Sequence, residues 1–513
     1  MPHCGSDFPN PRPHTNFPRF YRRQKPRLVT SAGKPEFVKA ITLTDATMLV
    51  AGSMIGSGIF IVSADIGRTV GAPGWLLAAW VLTGVMTLLG ALAYGELAAM
   101  YPRAGGMYTF LREAMGPLMG FLYGWTLFVV IQTGTIAAVA VGFAKFLGVL
   151  WPAATAERFA WFPHLNISTP GGLIELGLSP QRLVALASIA VLTWINLRGV
   201  REGKFVQTTL TVIKTGALAA LILLAVTVGR NAEAVAQNFG GNFFAGAPTL
   251  GPLFAVTFGS ALVGSLFSAD AWHAPTFAAA EVQNPARNLP RAMLLGTGLV
   301  TVLYVMANVG YLSVLPIHGA ADGASVIARG IDHATQDRVA TAVMEHIFGA
   351  NGAAMMAVAI LISTFGCNNG LILSGARVYY AMAKDGLFFA RAGALNRNAV
   401  PGYALVAQSV WTGFLCLSGT YGQLLDYVIF AALLFYALTT IGLFVLRVKR
   451  PDEPRPYRAI GYPVLPALYV LLAGGVALTL LVADKTRAQA LSGLVLVLLG
   501  VPVFYLWRRR AAR

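Results

Sequence analysis

The sequence is poor in charged residues and in cysteine. Of its 513 residues only 12% are Asp, Glu, Lys or Arg, whereas charged residues make up about 25% of a typical soluble domain. The three cysteines, Cys4, Cys367 and Cys416, are too few and too widely spaced for a disulfide framework. No cluster with metal-ligand spacing, no phosphate-binding glycine loop and no hydrolase motif is present. These absences argue against an enzyme and predict no cofactor, no metal site and no catalytic residue.

Apolar residues are what the sequence has in excess. They make up 56% of the chain and give a mean hydropathy of +0.65, which predicts a protein that crosses a membrane many times. Residues 1–40 are polar, basic and proline-rich. Because they lack the apolar core of a signal peptide, we expect a cytoplasmic N-terminal tail. The net charge of +17 comes from short basic blocks between apolar stretches, which is typical of membrane topology, so we expect no nucleic-acid partner.

About 20 apolar residues cross a bilayer, and on that measure the sequence contains twelve spans. They lie near residues 42–67, 73–100, 118–148, 182–198, 205–229, 252–284, 291–316, 350–382, 401–419, 422–447, 462–483 and 489–507. With the N-terminus inside, most of the 38 Lys and Arg residues fall on the cytoplasmic side. The positive-inside rule therefore predicts a multi-pass protein of the plasma (inner) membrane bilayer with both termini in the cytoplasm.

The first span contains the run AGSMIGSGIF, from residue 51 to residue 60, with three glycines and two serines within seven residues. Each glycine costs a helix about 1 kcal/mol relative to alanine, so the run predicts a break near the middle of the bilayer. A helix can be interrupted there only if protein or a water-filled cavity satisfies its backbone. The N–H groups that begin the second half-helix attract a carboxylate. The glycines are equally compatible with a close packing face between helices.

The sixth span contains a second polar run, FSADAWHAP, from residue 267 to residue 275. Asp270, His273 and Pro275 lie deep in this apolar span and predict a second interruption. The second run lies five spans after the first, an odd number, so the two halves of the chain have opposite orientations, and paired interrupted helices mark a transporter's binding site. Asp270 either caps the second half-helix or contacts a substrate amine. Phe267, at the edge of the break, either covers a bound ligand or only packs.

Four further charged residues fall in or near the ends of predicted spans. Lys214 lies about nine residues from the inner end of the fifth span, roughly 14 Å deep, and needs carbonyl, hydroxyl or carboxylate partners. We interpret it as a fixed cation that bridges the broken first span to a later one; the alternative is a structural lysine paired with an acid. Arg377 can extend to the interface and is given no role. Glu96 and Glu281 are expected to pair with arginines, in an inner gate or a static interface.

Six short motifs run along most of the chain. They are GSMIGSGIF from residue 52, YGEL from 94, PRAGG from 102, NLRGV from 196, RNLP from 287 and STFGCNNG from 363. In this order and at these spacings they resemble the amino acid–polyamine–organocation superfamily, in particular its L-type amino acid transporter branch. The resemblance implies an all-α membrane protein of twelve transmembrane helices, a LeuT-type 5+5 inverted repeat with helices 1 and 6 broken. The first repeat would cover residues 41–230, the second 250–448, and helices 11 and 12 residues 460–508.

The resemblance also implies the site. The substrate carboxylate is expected on the backbone after the first break, near Ser57 and Gly58, and the amine on carbonyl groups of the two unwound segments. The residues implied for substrate binding are Ser53, Met54, Ile55, Gly56, Ser57, Gly58, Phe267, Ser268 and Asp270. Phe267 is also implied as an aromatic gate, and Lys214 as the helix-five lysine that replaces a sodium ion, with Ser363 as its partner on helix eight.

Two departures from the family pattern bear on partners and specificity. Residues 149–181 contain no cysteine, so the disulfide by which animal members join a heavy chain cannot form. We therefore expect a stand-alone, prokaryotic member that is a monomer or a weak homo-oligomer. Residues 269–275 differ from the family's glycine-rich, asparagine-containing run, which bears on side-chain selectivity.

Residues and resemblance together predict a sodium-independent transporter that exchanges neutral L-amino acids by alternating access. Two alternatives remain within transport: a proton-coupled amino acid importer, and an exchanger of cationic amino acids or polyamines. A membrane-bound amino acid sensor that does not transport is the alternative outside it.

Overall fold

The computed structural model describes residues 37–155, 165–169, 172–241, 243–245, 251–418 and 421–511. Most of the predicted N-terminal tail, with Cys4, lies outside the described residues. Nearly all regular structure within them is helical. The helices are α1 Leu43–Met54, α2 Ser63–Val70, α3 Pro73–Met100, α4 Met107–Met115, α5 Pro117–Thr126, α6 Gln132–Leu150, α7 Pro180–Arg198, α8 Val200–Thr227, α9 Ala232–Phe239, α10 Pro252–Ser268, α11 Ala274–Phe277, α12 Pro285–Val314, α13 Val326–Arg329, α14 Val339–Lys384, α15 Gly402–Ser418, α16 Tyr421–Lys449, α17 Val464–Val482 and α18 Arg487–Ala511.

Several helices begin at residues that favour a helix start. Pro73 and Pro117 stand at the first positions of α3 and α5, where the missing N–H costs nothing. Ser179 caps α7 by accepting a hydrogen bond from a backbone N–H of its first turn. Thr42 and Asp45 form a reciprocal capping box at the start of α1. The starts of these helices are thus set by local sequence as well as by packing.

A short β-hairpin interrupts the helical pattern between α6 and α7. Strand β1 (Leu165–Thr169) pairs antiparallel with β2 (Gly172–Leu176), with Ile167 opposite Ile174. Two short runs rich in β-favouring residues make this pairing possible, and a count of hydropathic spans does not detect them. The prediction of a helical membrane protein is confirmed, and this hairpin is an unpredicted addition between two of its helices.

Nine of the helical segments in the described residues are long and apolar enough to cross a membrane. They are Pro73–Met100, Pro117–Leu150, Pro180–Arg198, Val200–Thr227, Pro285–Val314, Val339–Lys384, Val428–Lys449, Val464–Val482 and Arg487–Arg508. Leu253–Ser268 and Gly402–Leu417 are shorter apolar helices, and the first predicted span is divided between α1 and α2. Large apolar side chains are also freely exposed, such as Leu253 at 75% and Leu471 at 72%, which suits a surface that faces lipid. The chain is a multi-pass membrane protein.

Two long helices organise the interior around the interrupted ones. Helix α12 packs against α3, α1 and α8, and α14 packs against α6, α8 and α1. Helix α14 bends at Gly349, whose φ of 63° breaks its regular geometry. Helix α1 therefore contacts both long helices, whereas α2, beyond the break, packs against α10 and α3.

Candidate functional site

The first helix breaks where the glycine-rich run predicts. Helix α1 ends at Met54, and Ile55 leaves the helical conformation with φ −73° and ψ 86°. A 3₁₀ turn covers Gly58–Phe60 before α2 begins. The first N–H groups of a helical turn make no hydrogen bond within that turn, and at this break they are those of Gly58 and Ile59.

The sixth predicted span breaks at its polar run. Helix α10 ends at Ser268, and α11 begins at Ala274. Between them Ala271 has a φ of 64°, a left-handed conformation that costs a non-glycine residue on the order of 1–3 kcal/mol. The surrounding packing imposes this conformation, because every residue from 269 to 274 is buried.

The two breaks touch each other. A Cβ added to Gly58 would lie 2.0 Å from Ser268 Oγ and 3.1 Å from Ser268 Cα, so only glycine fits. The hydroxyl of Tyr304, on α12, lies 2.9 Å from the Met54 carbonyl oxygen and 3.0 Å from that of Ser268. Tyr304 thus ties the end of α1 to the end of α10. The sequence gives little sign of this role, since a tyrosine in an apolar helix shows only that its hydroxyl needs a partner.

A small cavity of about 10 Å³ lies at this junction. Its walls include eight of the nine residues implied for substrate binding: Ser53, Met54, Gly56, Ser57, Gly58, Phe267, Ser268 and Asp270. Thr135 and Val139 of α6 and Cys367 of α14 complete the lining with Ala271. One water molecule needs about 10–15 Å³, so an amino acid does not fit until the walls separate.

The ninth residue, Ile55, contributes to a different contact. Its carbonyl oxygen accepts hydrogen bonds from Lys214 Nζ at 2.8 Å and from Ser363 Oγ at 3.1 Å. A carbonyl oxygen has two lone pairs, and these two donors account for both. A substrate amine would therefore have to compete with Lys214 and Ser363 for the Ile55 carbonyl oxygen.

Lys214 joins the first break to α14. Its buried Nζ donates to the carbonyl oxygens of Gly52 at 2.5 Å, Ile55 at 2.8 Å and Ser363 at 3.2 Å. An ammonium group carries three donors, so the three carbonyl groups match it completely. The Nζ atom thus contacts both α1 and α14, and its partners are backbone oxygens in place of an acid.

Close backbone approach makes this bridge possible. A Cβ on Gly52 would meet Thr211 Oγ1 at 2.1 Å and Gln207 Nε2 at 2.2 Å, so α1 and α8 pack in direct contact. Beside the bridge, Cys367 of α14 donates its thiol to the Ser53 carbonyl at 2.9 Å. Cys367 thus lies on the cavity wall, a position that the sequence does not indicate because a lone cysteine in an apolar span is ordinarily packing.

Asp270 is the acidic residue of the cavity wall. It is 7% exposed, and its carboxylate accepts a hydrogen bond from the hydroxyl of Tyr436 on α16. The ring of Tyr436 lies among other rings, with its centroid 5.8 Å from that of Trp272 and 5.1 Å from that of His273. Asp270 also borders a second cavity of about 20 Å³ on the side of α3, α16 and α17. The carboxylate of Asp270 thus has a neutral donor in the Tyr436 hydroxyl.

Two buried glutamates pair with arginines of other helices, as the sequence predicts. Glu281, after α11, pairs with Arg377 of α14 through distances of 2.9 and 3.3 Å, and both side chains are 1% exposed. The expectation that Arg377 extends to the interface without a role is wrong. An adjacent acid from another helix, which sequence alone cannot place, keeps the guanidinium inside.

Glu96 of α3 forms the second buried contact. It accepts from Arg447 of α16 at 3.0 and 2.6 Å and from the backbone N–H of Ala459 at 2.7 Å. Arg455 lies 3.2 Å away. Glu96 thus fastens the segment after α16 to α3.

Comparison with known proteins agrees with this architecture. Residues 41–501 match the family model described as amino acid permease. The chain is 30% identical to the human large neutral amino acids transporter small subunit 2, over 94% of this chain and 82% of that protein. It is 29% identical to the serine/threonine exchanger SteT of Bacillus subtilis, over 92% and 98%. It is 27% identical to the mouse b(0,+)-type amino acid transporter 1, over 93% and 90%. The chain therefore belongs to the amino acid permease family of the amino acid–polyamine–organocation superfamily, whose relatives named here are transporters and not enzymes.

Proposed function

We propose that this protein is a sodium-independent transporter that exchanges neutral L-amino acids across the plasma (inner) membrane. The observation that carries the proposal is the contact of Lys214 Nζ with the carbonyl oxygens of Gly52, Ile55 and Ser363. A fixed ammonium there holds α1 to α14 without a metal cation. Transport then needs no bound sodium ion to complete the site.

The substrate's α-amino and carboxylate groups would be held by the two broken helices. The carboxylate meets the N–H groups at Ser57 and Gly58, at the positive end of the half-helix that follows. The amine meets carbonyl groups of residues 267–270, because the Ile55 carbonyl is occupied by Lys214 and Ser363. Phe267, 5% exposed on the cavity wall, covers the bound molecule.

Alternating access would follow from an inverted repeat of twelve crossings, with both termini in the cytoplasm. The breaks after α1 and α10 stand at corresponding positions, five spans apart. Spans 1, 2, 6 and 7 would rock against spans 3, 4, 8 and 9 around the site. The cavity of about 10 Å³ would correspond to the closed intermediate, which opens to one side at a time.

The relatives support neutral substrates and exchange. One is named for large neutral amino acids and another as a serine/threonine exchanger. A cationic substrate is the second candidate, and Asp270 favours it, because this buried carboxylate has a neutral hydroxyl partner in Tyr436. A proton-coupled importer is the remaining transport alternative, with Asp270 or Lys214 as the proton-binding group, and a sensor would show no flux at all.

We also propose that the chain works without a disulfide-linked heavy chain, as a monomer or a weak homo-oligomer. Residues 149–181, between α6 and α7, contain no cysteine. A covalent link of the kind seen in animal members of the family has no attachment point there.

Counterflow in proteoliposomes tests the proposal. Vesicles loaded with unlabelled serine, leucine or lysine receive labelled serine outside, without sodium and without a proton gradient. We expect uptake that depends on internal neutral amino acids. Stimulation by internal lysine alone would favour the cationic candidate, and uptake that appears only with an inward proton gradient would favour the importer. Uptake that requires sodium would contradict the role of Lys214.

A further inference from the structure

A membrane-facing groove runs between α7 and α15, away from the substrate site. Its volume is about 550 Å³. Bulky apolar side chains from both helices form its walls, among them Leu186, Trp194, Val406, Val410 and Phe414. Trp194, Val410 and Phe414 are each more than half exposed, so the groove is open along its length.

The floor of the groove is formed by a glycine and by two hydroxyl groups that have hydrogen-bond partners. Gly413 keeps the groove open, because a Cβ at this position would lie only 3.1 Å from Leu186 Cδ2 and would narrow the groove. The polar atoms of the floor have partners: the hydroxyl oxygens of Thr193 and Ser409 lie 2.5 Å apart, and each also lies within hydrogen-bond distance of a carbonyl oxygen of its own helix. The groove therefore offers no free polar contact along its length, and only an apolar chain suits it.

The length of the groove matches one leaflet of a bilayer. On α7 it extends from Leu186 to Leu197, which is about 16 Å at 1.5 Å per residue. Half of a hydrocarbon core is about 15 Å thick. A single acyl chain that lies along the groove would thus start at the membrane surface and end near the midplane.

A cation marks the surface end of the groove. The Arg198 guanidinium lies 3.7 Å from the centroid of the Trp194 ring, which is itself part of the wall. Arg198, Arg201 and Glu202 are exposed on this turn, so the local charge is about +1. This charge complements one phosphate group.

We propose that this groove holds one anionic phospholipid, with an acyl chain between α7 and α15 and its phosphate on Arg198. The apolar walls favour an acyl chain, the length of the groove fits one leaflet, and Arg198 favours a negatively charged headgroup. On the proposed topology the lipid belongs to the cytoplasmic leaflet. The site is independent of the transport proposal, since it shares no residue with the substrate cavity.

Native mass spectrometry of the purified, delipidated full-length protein tests the proposal. Phosphatidylglycerol and phosphatidylcholine with identical acyl chains are added in turn. We expect one phosphatidylglycerol per chain, retained about fivefold more tightly than phosphatidylcholine, because the choline cation of phosphatidylcholine cancels the negative charge that Arg198 attracts. Arg198→Gln should abolish the preference, whereas Arg291→Gln, an exposed arginine of α12, should keep it. Equal retention of both lipids by the wild-type protein would overturn the proposal.

A second pair of variants tests the groove itself. Gly413→Phe fills it and should lose the bound lipid. Gly475→Phe adds the same ring at an exposed glycine of α17 with open space around it, and should retain the lipid. Equal binding by these two variants, or a mass that fits a second copy of the chain instead of a lipid, would refute the assignment. If Gly413→Phe does not fold, the Arg198 comparison still decides the outcome.

Discussion

At the scale of single residues, Lys214 has the most demanding environment in the site. It is 1% exposed, and three backbone carbonyl oxygens surround its Nζ. Lys214→Met keeps the length of the side chain but removes one donor from each of these oxygens, at a cost of about 1–3 kcal/mol for each group that is left unsatisfied. We expect exchange to fall by about tenfold or more, measured as initial counterflow rate per amount of reconstituted protein.

Lys204→Met is the matched control for this prediction. Lys204 lies on the same helix, but its side chain is 29% exposed, and it pairs with Asp45 at 2.9 Å. Exposed and half-exposed pairs contribute about 0–1 kcal/mol, so this variant should transport nearly as the wild type does. Equal loss in both variants would indicate a general structural effect and not a bridge specific to Lys214.

Gly58 provides a second prediction at the residue scale. Gly58→Ala places a methyl group 2.0 Å from Ser268 Oγ and 3.1 Å from Ser268 Cα, so the two breaks must separate. We expect the half-saturating substrate concentration to rise by about tenfold or more, since a small misplacement of binding groups is costly. Gly216→Ala, on α8 where an added Cβ has open space, should leave it unchanged. An unaltered half-saturation in Gly58→Ala would place the substrate elsewhere.

At the scale of elements, the pair of Glu281 and Arg377 joins the segment after α11 to α14. Each side chain is 1% exposed, and removing one partner of such a pair typically costs about 3–5 kcal/mol because a buried charge is left alone. Glu281→Gln should therefore lower the melting temperature in detergent strongly. The double variant Glu281→Gln/Arg377→Met should recover part of the loss. Additive losses in the double variant would show that the two groups do not interact.

Helix α4 is held by a cluster that depends on pH. Glu113 accepts from Arg103 at 2.5 Å, Arg112 at 3.1 Å and Arg450 at 3.0 Å. Burial alone would raise the pKa of Glu113, but the three guanidinium groups lower the pKa below the ordinary 4.5. A lowered pKa in the folded state gives stability that is complete above the unfolded value and is lost as the pH falls through the folded one.

Glu113→Gln should consequently lower the melting temperature by a few degrees at pH 7. The difference from the wild type should shrink as the pH falls below about 4.5, where the wild-type carboxylate also loses its charge. Glu345→Gln, at an exposed carboxylate of α14, serves as the control and should show little effect at either pH. A difference that stays constant down to acidic pH would rule out the charge of Glu113 as its cause.

The positions of the helices were largely predictable at this scale, and the contacts between them were not. Hydropathy marks long apolar helices such as α3, and the run from residue 51 to 60 marks the first break, because both signals are local. The hairpin β1–β2 was missed because it is short and lies outside the apolar spans. The partners of Arg377 and Asp270 were missed because Glu281 and Tyr436 lie 96 and 166 residues away along the chain.

In the site, too, some residues were predictable from the sequence and others were not. Eight of the nine implied binding residues line one cavity, since they belong to two continuous runs that motifs identify. Ile55 differs because its carbonyl is directed to Lys214, a consequence of how α1 and α8 pack. Tyr304 and Cys367 come from two other helices, and only the three-dimensional arrangement brings them to the breaks.

At the scale of the whole molecule, we expect the path through the site to be closed at its two ends by different kinds of contact. At one end Arg68 meets Asp337 at 2.8 Å and Asp65 meets Lys485 at 2.9 Å, and all four side chains are at least 36% exposed. At the other end the acidic partners are the buried Glu96 and Glu281. Exposed pairs contribute about 0.2–1 kcal/mol and are weakened by salt, so the exposed end should open at a lower cost in free energy.

This asymmetry leads to a prediction about the transport cycle. Lys485→Met should change the exchange rate by less than about fivefold, the most that 1 kcal/mol allows. Glu96→Gln should change it far more, because Arg447 and the Ala459 N–H lose a charged acceptor and Arg455 loses its ion pair. The measurement is counterflow at 0.1 M and 1 M potassium chloride, and the small effect of Lys485→Met should disappear at high salt. A large, salt-resistant loss in Lys485→Met would mean that the exposed contacts control the cycle, and that opening at that end is the costly step.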